Sequence, residues 1–452
     1  MGTFGLILGF ALSWAAGAAV LSPLLWRGTS TRWTTLAGYG FAAGLLLTTL
    51  VMRATFAAKL GLSFGVNAAG LVLVAMAGIG VTVLMQRRGL LADTAQPSQV
   101  LPEVAAWSRV LWYVLLAMAV ARIATLTLEA WWRPLFPWDA WQIWGPKTKI
   151  WFETRDLNNL YGHFDNGYPP AINLIQVWAN LGLGAWDDAR MNIAWPLLLG
   201  ALALAAYGQA RQAGGSPLAA AIVADQLASI PMLDTHAALA GYADLPLAVT
   251  FGLGAIAFFV WVVTDDWRQL VMALLFAAMA PLYKIPGIAW SLTLAPALLV
   301  ALLGRMPGRK AVRWVAAIVV AVLAAGAYLY AKQRNFSLNF YQAHVSVNSS
   351  SSFVLDNYFV LDNYHLVWYM ALAALICWWR AAIAPPLRPA TTLIAAGVAF
   401  LIVSFFFTNS AEWWGDYGSI NRATLHLVPA LIFYLFLLSR SSLSPSVSTL
   451  PA

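Results

Sequence analysis

Apolar residues run in stretches of roughly twenty along this chain, separated by short polar breaks, and the alternation predicts helices that cross a bilayer. Stretches begin near Phe4, Thr34, Gly65 and Val110, then resume near Ile193 after a long polar interval. Later ones cover residues 218–230, 237–263, 270–281, 285–303, 315–330, 366–379, 393–407 and 425–438. The pattern predicts an all-α polytopic membrane protein with about thirteen transmembrane helices.

Composition sharpens that pattern. Of 452 residues, 61% are hydrophobic and 10% charged, and the mean hydropathy is +0.72. One soluble core cannot hide so much apolar surface, so lipid is the expected neighbour. The 23 tryptophans, many near helix ends, suit the interfacial belt where an amphipathic ring rests. A single cysteine, Cys377, excludes an internal disulfide and a thiolate metal site. Basic anchors in short loops account for the net charge of +8, so no nucleic-acid partner is expected. The first stretch lacks a basic leader and a cleavage site, and it is expected to remain as a helix.

If the spans alternate, Arg87, Arg88, Arg211, the group Arg305, Arg309, Lys310 and Arg313, and then Arg380, Arg388 and Arg440 share one side. The positive-inside rule makes that side the cytoplasm. The opposite side receives residues 131–188, Asp234, Lys284, residues 332–363 and residues 409–422. These outer segments mix acids, histidines and aromatic residues, and chemistry is expected there.

In the first large outer loop, Trp138, Trp141 and Trp144 recur every third residue, which predicts a short helix lying on the bilayer surface and ending at Pro146. A second helix is expected from Tyr168-Pro169-Pro170 to the glycines at 182 and 184. Asp139 stands where the apolar helix gives way to this loop. A carboxylate at the boundary of water and lipid, beside indoles, is partly desolvated and suited to act as a base. Asp139-Ala140-Trp141-Gln142 also matches a capping box, the competing structural role.

A second cluster joins Asp234 and His236 to Gly241-Tyr242-Ala243-Asp244. An acid just inside a membrane helix is costly unless it faces a polar cavity, so Asp244 is either a functional group or a polar lock between helices. A third cluster is cationic, Lys284 in Tyr-Lys-Ile-Pro-Gly and Arg422 in Ile-Asn-Arg-Ala-Thr. Each could snorkel to headgroups, or the two together could hold a phosphate. The outer segment after residue 332 contains Phe-Val-Leu-Asp-Asn-Tyr twice in tandem, at 353–358 and 359–364, and reads as a connector or a gate.

A carboxylate base opposite a cationic phosphate clamp points to transfer of a group from a phosphate carrier. In this respect the order of elements resembles the C-fold glycosyltransferases that use polyprenyl-phosphate sugars, the branch of protein O-mannosyltransferases and lipid A aminoarabinose transferase. The likeness covers roughly residues 107–438 and rests on Asp139 near the start of the first large outer loop, Tyr168-Pro169-Pro170, residues 241–246, Lys284 and Arg422.

The resemblance implies a catalytic transmembrane domain at residues 107–440; the chain departs from the family in a three-helix membrane extension at 1–106, and residues 441–452 are expected as a disordered cytoplasmic tail. It implies juxtamembrane helices in the outer loop and inverting single displacement with Asp139 as catalytic base. Lys284, Arg422 and Lys147 would bind the donor phosphate, and Tyr168, Asp244, Tyr242, His236 and Trp141 the substrates. A second acid, where one is needed, would be Asp165 or Asp244. No cofactor or metal is required, although a divalent ion is the one class left open. The implied partners are a polyprenyl-phosphate-sugar donor, a glycan, lipid or protein acceptor, and the bilayer. The implied location is a bacterial inner membrane with the site facing outward. A transporter or flippase of a lipid-linked or anionic substrate is the rival expectation.

Overall fold

A computed structural model describes residues 2–25, 32–91, 105–160, 167–306, 355–407 and 418–443, together with 308, 310, 313 and 314. The described residues form helices and connecting turns: α1 Gly2–Leu21, α2 Arg32–Ala57, α3 Phe64–Arg87, α4 Ala106–Trp132, α5 Gly145–Thr154, α6 Ala171–Leu183, α7 Ala194–Gln212, α8 Pro217–Ser229, α9 Pro231–Ala238, α10 Asp244–Thr264, α11 Trp267–Met279, α12 Gly287–Leu292 and α13 Leu294–Gly304. After residues 307–354 follow α14 Val367–Ile383, α15 Arg388–Phe406, α16 Gly418–Leu425 and α17 Val428–Leu443.

Eight of the helical segments are long and apolar enough to cross a bilayer, and the count reaches ten if each of two bent pairs is one span. The expected thirteen is not established. The stretches near 270–281 and 366–379 form shorter helices, and 315–330 lies outside the described residues. Both bent pairs follow from proline chemistry. α8 and α9 meet at 55°, where Pro231 forces Ile230 into an extended conformation. α16 and α17 meet at 50°, just before Pro429, whose ring removes a helix hydrogen bond.

α10 is the centre of the bundle, buried from Asp244 through Trp261. α1 and α2 share its core and do not stand apart: the Tyr39 hydroxyl donates to the Leu253 carbonyl at 2.9 Å and accepts from the Gln209 side chain at 3.1 Å. The two helices approach through Gly17 on α1 and Gly40 and Gly44 on α2, where an added Cβ would run into the facing backbone. Small residues at such a spacing let membrane helices touch. α3 and α4 are the most exposed of the long helices, so they are read as facing lipid.

The second expected surface helix, α6, is corrected by the structure: all thirteen of its residues are buried. Its polar residues Asn173, Gln176 and Asn180 lie at helical spacing, and Asn173 and Gln176 bind inward. Asn173 donates to the Trp144 carbonyl at 2.7 Å, Thr148 donates to Gln176 at 2.8 Å, and Gln176 donates to Asn192 at 2.9 Å. Hydrogen-bonded amides can be buried, and here they tie the outer loop onto the bundle.

Polar groups gather at the two ends. At one end Arg305 pairs with Asp265 at 2.7 Å, and Arg211 donates to the Gly215 carbonyl at 2.5 Å. At the other lie Asp139, Tyr242, Asp244, Lys284 and Arg422.

Candidate functional site

The loop bearing Asp139 is shaped by Pro134 and Pro137, which follow the last turn of α4 and carry no donor to extend it. Residues Ala140–Trp144 then form a π-turn that continues directly into α5, with Pro146 inside its first turn. Pro146 therefore starts a helix and does not end one, as its pre-set backbone angle permits. The tryptophan stripe also divides. Trp138 and Trp141 are exposed and meet edge to face at 5.6 Å, whereas Trp144 is buried and packs on Tyr168 at 5.1 Å.

Asp139 does not cap this turn through its side chain. Its carboxylate instead pairs with Arg422, which α16 brings from the far end of the chain. The Arg422 guanidinium also stands over the Tyr242 ring at 5.3 Å, and Tyr242 lies within electrostatic reach of the Asp139 carboxylate. Burial raises the Tyr242 phenol above its usual range, and the Asp139 carboxylate adds to the rise, so this hydroxyl is neutral at pH 7. Gly241 makes the approach possible. Its φ is +104°, and a Cβ there would lie 2.8 Å from Leu135 and 2.9 Å from Ala140.

Asp244 forms a second ion pair beside the first. Lys284 donates to its carboxylate at 2.8 Å, and Nε2 of His426 lies 3.4 Å from the same oxygen, while Oδ2 has no partner among the described residues. Lys284 is placed by the 3-10 turn Ala280–Leu282 and the turn closed by Gly287, whose N–H donates to the Lys284 carbonyl at 2.9 Å. Arg422 lies within electrostatic reach of Asp244, so the two pairs form one field. His236 is buried beside them, its ring 5.6 Å from Tyr242 and its Nδ1 at 3.0 Å from the Met232 carbonyl.

The structure thus brings Asp139, Tyr242, Asp244, Lys284, Arg422 and His236 together. Trp141 and Tyr168 lie on the loop that borders them. Lys147 is buried on α5, its ammonium 4.9 Å from the Trp151 ring. Asp165 lies outside the described residues. Among the described residues no three His, Cys, Asp or Glu side chains are grouped to hold a metal ion.

Two features of the site were not read from the sequence. Arg122 of α4 pairs with Asp234 of α9, which fixes the helix carrying His236. The tandem Phe-Val-Leu-Asp-Asn-Tyr copies, read as connector or gate, brace α16. Tyr358 shares a 2.8 Å hydrogen bond with Thr424, Tyr364 donates to the Asn421 carbonyl at 2.7 Å, and Asn421 donates to the Asn357 side chain at 2.5 Å. Repetition was the available signal. Nothing in the sequence says that both copies reach the same helix.

No protein-family model matches the chain, and no curated protein and no solved structure matches it either. Class is defined by architecture: the described residues are helical, with apolar helices fit to span a bilayer.

Proposed function

We propose that this protein is a membrane glycosyltransferase that moves a sugar from a polyprenyl-phosphate donor to an acceptor by inverting single displacement. The observation that carries the reading is the Asp139–Arg422 pair, set beside the Asp244–Lys284 pair in one polar cluster at one end of the bundle. In the resting site Arg422 is occupied by Asp139. A donor phosphate competes for that guanidinium, since charge-assisted fork bonds suit phosphate as well as carboxylate. Lys284 supplies a second positive charge nearby. Once Arg422 turns to the phosphate, Asp139 is left beside the reacting groups without its counter-charge. It then accepts the proton of the acceptor hydroxyl while that oxygen bonds to the anomeric carbon. The bond from that carbon to the phosphate oxygen breaks, and its electron pair leaves with the polyprenyl phosphate. Tyr242 and His236 line the place where the sugar and acceptor meet.

The test uses purified protein, a synthetic polyprenyl-phosphate sugar and a membrane-extracted acceptor pool, with release of polyprenyl phosphate followed by mass spectrometry. Wild-type protein is expected to release it, and Asp139→Asn to do so about 10²–10⁴-fold more slowly. Release by the variant at the wild-type rate would sink the mechanism.

One observation favours a second reading. Both bent helix pairs place their breaks or their polar halves at the cluster, an arrangement common in transporters. Transport predicts movement of the intact lipid-linked sugar across vesicles with no release of phosphate.

A further inference from the structure

Away from the cluster, a groove of about 1190 Å³ runs between α4 on one side and α7 and α8 on the other. It follows α4 from Ser108 to Leu128, a rise of about 30 Å, close to the thickness of a bilayer's hydrocarbon core. Small residues open it: Gly200 and Ala203 on α7, Ala221 and Ala224 on α8. The α4 wall is apolar and exposed at Leu116 and Val120.

Charge in this groove is confined to one end. Arg109, in the first turn of α4, and Arg211, in the last turn of α7, both line it there. The guanidinium of Arg440 packs on Gly214 in the adjoining turn. None of the three has a carboxylate partner among the described residues, although Arg211 spends one N–H on the Gly215 carbonyl. No cation lines the opposite end at Thr127 and Leu128.

We propose that this end of the groove binds a phospholipid with an anionic headgroup, its phosphate held by Arg109 and Arg211 and its acyl chains lying over Ala203, Ala221 and Ala224. A half-open apolar slot between membrane helices is filled by hydrocarbon, and what chooses the lipid is the headgroup. Paired guanidiniums at the polar boundary select phosphate that carries net negative charge, and basic pockets between membrane helices are built in this way. The position of the charges separates this lipid from the glycosyl donor. A donor phosphate must reach Arg422 and Lys284, at the other end of the bundle, so a chain anchored at Arg109 and Arg211 cannot be a donor in its reacting position.

The experiment reconstitutes the full chain with equal phosphatidylglycerol and phosphatidylcholine, extracts it in mild detergent and counts retained lipid by native mass spectrometry. Wild-type protein is expected to retain phosphatidylglycerol preferentially. Arg109→Gln and Arg211→Gln should each lower that preference about five-fold, whereas Arg109→Lys should keep most of it. Ala221→Trp, which fills the slot and leaves the arginines in place, should lower retention of both lipids, and Arg88→Gln, outside the groove, should change nothing. Thermal unfolding in detergent checks that each variant is folded. Equal retention of the two lipids by wild-type protein, or a preference untouched in the Arg109→Gln, Arg211→Gln double variant, would overturn the proposal. So would retained polyprenyl phosphate that Ala221→Trp removes and the arginine changes do not. None of these outcomes depends on sugar transfer, so the groove and the cluster stand or fall separately.

Discussion

The two ion pairs of the cluster use the same chemistry in different solvent. Asp244 has a side-chain exposure of 1% and Lys284 of 17%, whereas Arg422 and Asp139 stand at 25% and 26%. A buried carboxylate without its cation is left uncompensated, so the first pair is obliged to persist. The second lies nearer to water, so it opens at a lower cost than the first. The difference separates a pair that holds the site together from one that a substrate can take apart.

The sharpest way to break this comparison is to neutralise each acid in turn. Asp244→Asn should cost about 3 kcal/mol or more of stability, seen as a lowered unfolding midpoint in detergent, and should abolish transfer with it. Asp139→Asn should leave stability within about 1 kcal/mol of wild type and lower transfer alone by about 10²–10⁴-fold. Equal losses of stability in the two variants would erase the distinction between the pairs.

A middle-sized effect is expected where the pairs are brought together. Gly241→Ala imposes a side chain on a left-handed turn that faces Ala140, and should cost about 1–3 kcal/mol while slowing transfer by displacing the Asp139 loop. Unchanged stability in that variant would show that the loop has room to yield. The smallest effect belongs to the brace on α16. Tyr364→Phe removes one hydrogen bond to the Asn421 carbonyl and should cost about 1 kcal/mol. Transfer should weaken chiefly through a raised KM for the donor, because Arg422 is less well held. A change in kcat alone would argue against a positioning role.

Many of the residues that meet in the cluster are legible in the chain itself. Asp139, Asp244, Lys284 and Arg422 stand out because charge is scarce in an apolar chain, and an acid or base there carries a cost that needs a reason. Their pairing is not legible. Asp139 reads equally well as a cap for its own helix, and only the approach of α16 shows its carboxylate turned to Arg422. The α6 helix is misplaced by sequence for a related reason: Pro169-Pro170 and the glycines at 182 and 184 mark where it starts and stops but not its neighbours, and most partners of its buried amides come from α5 and the turn around Asn192. The span count drifts because hydropathy registers apolar composition, while the stretches near 270–281 and 366–379 form helices shorter than a span and two others are bent at Pro231 and before Pro429.

The sequence by itself determined that this protein is helical, apolar and built around a few polar residues, since hydrophobic content and local propensity are properties of neighbouring positions. Tertiary structure alone decided which acid meets which base, how exposed each pair is, and that a tandem repeat steadies the helix carrying Arg422. Those facts join residues as far apart as Asp139 and Arg422, and such contacts depend on how helices pack, which no local pattern encodes.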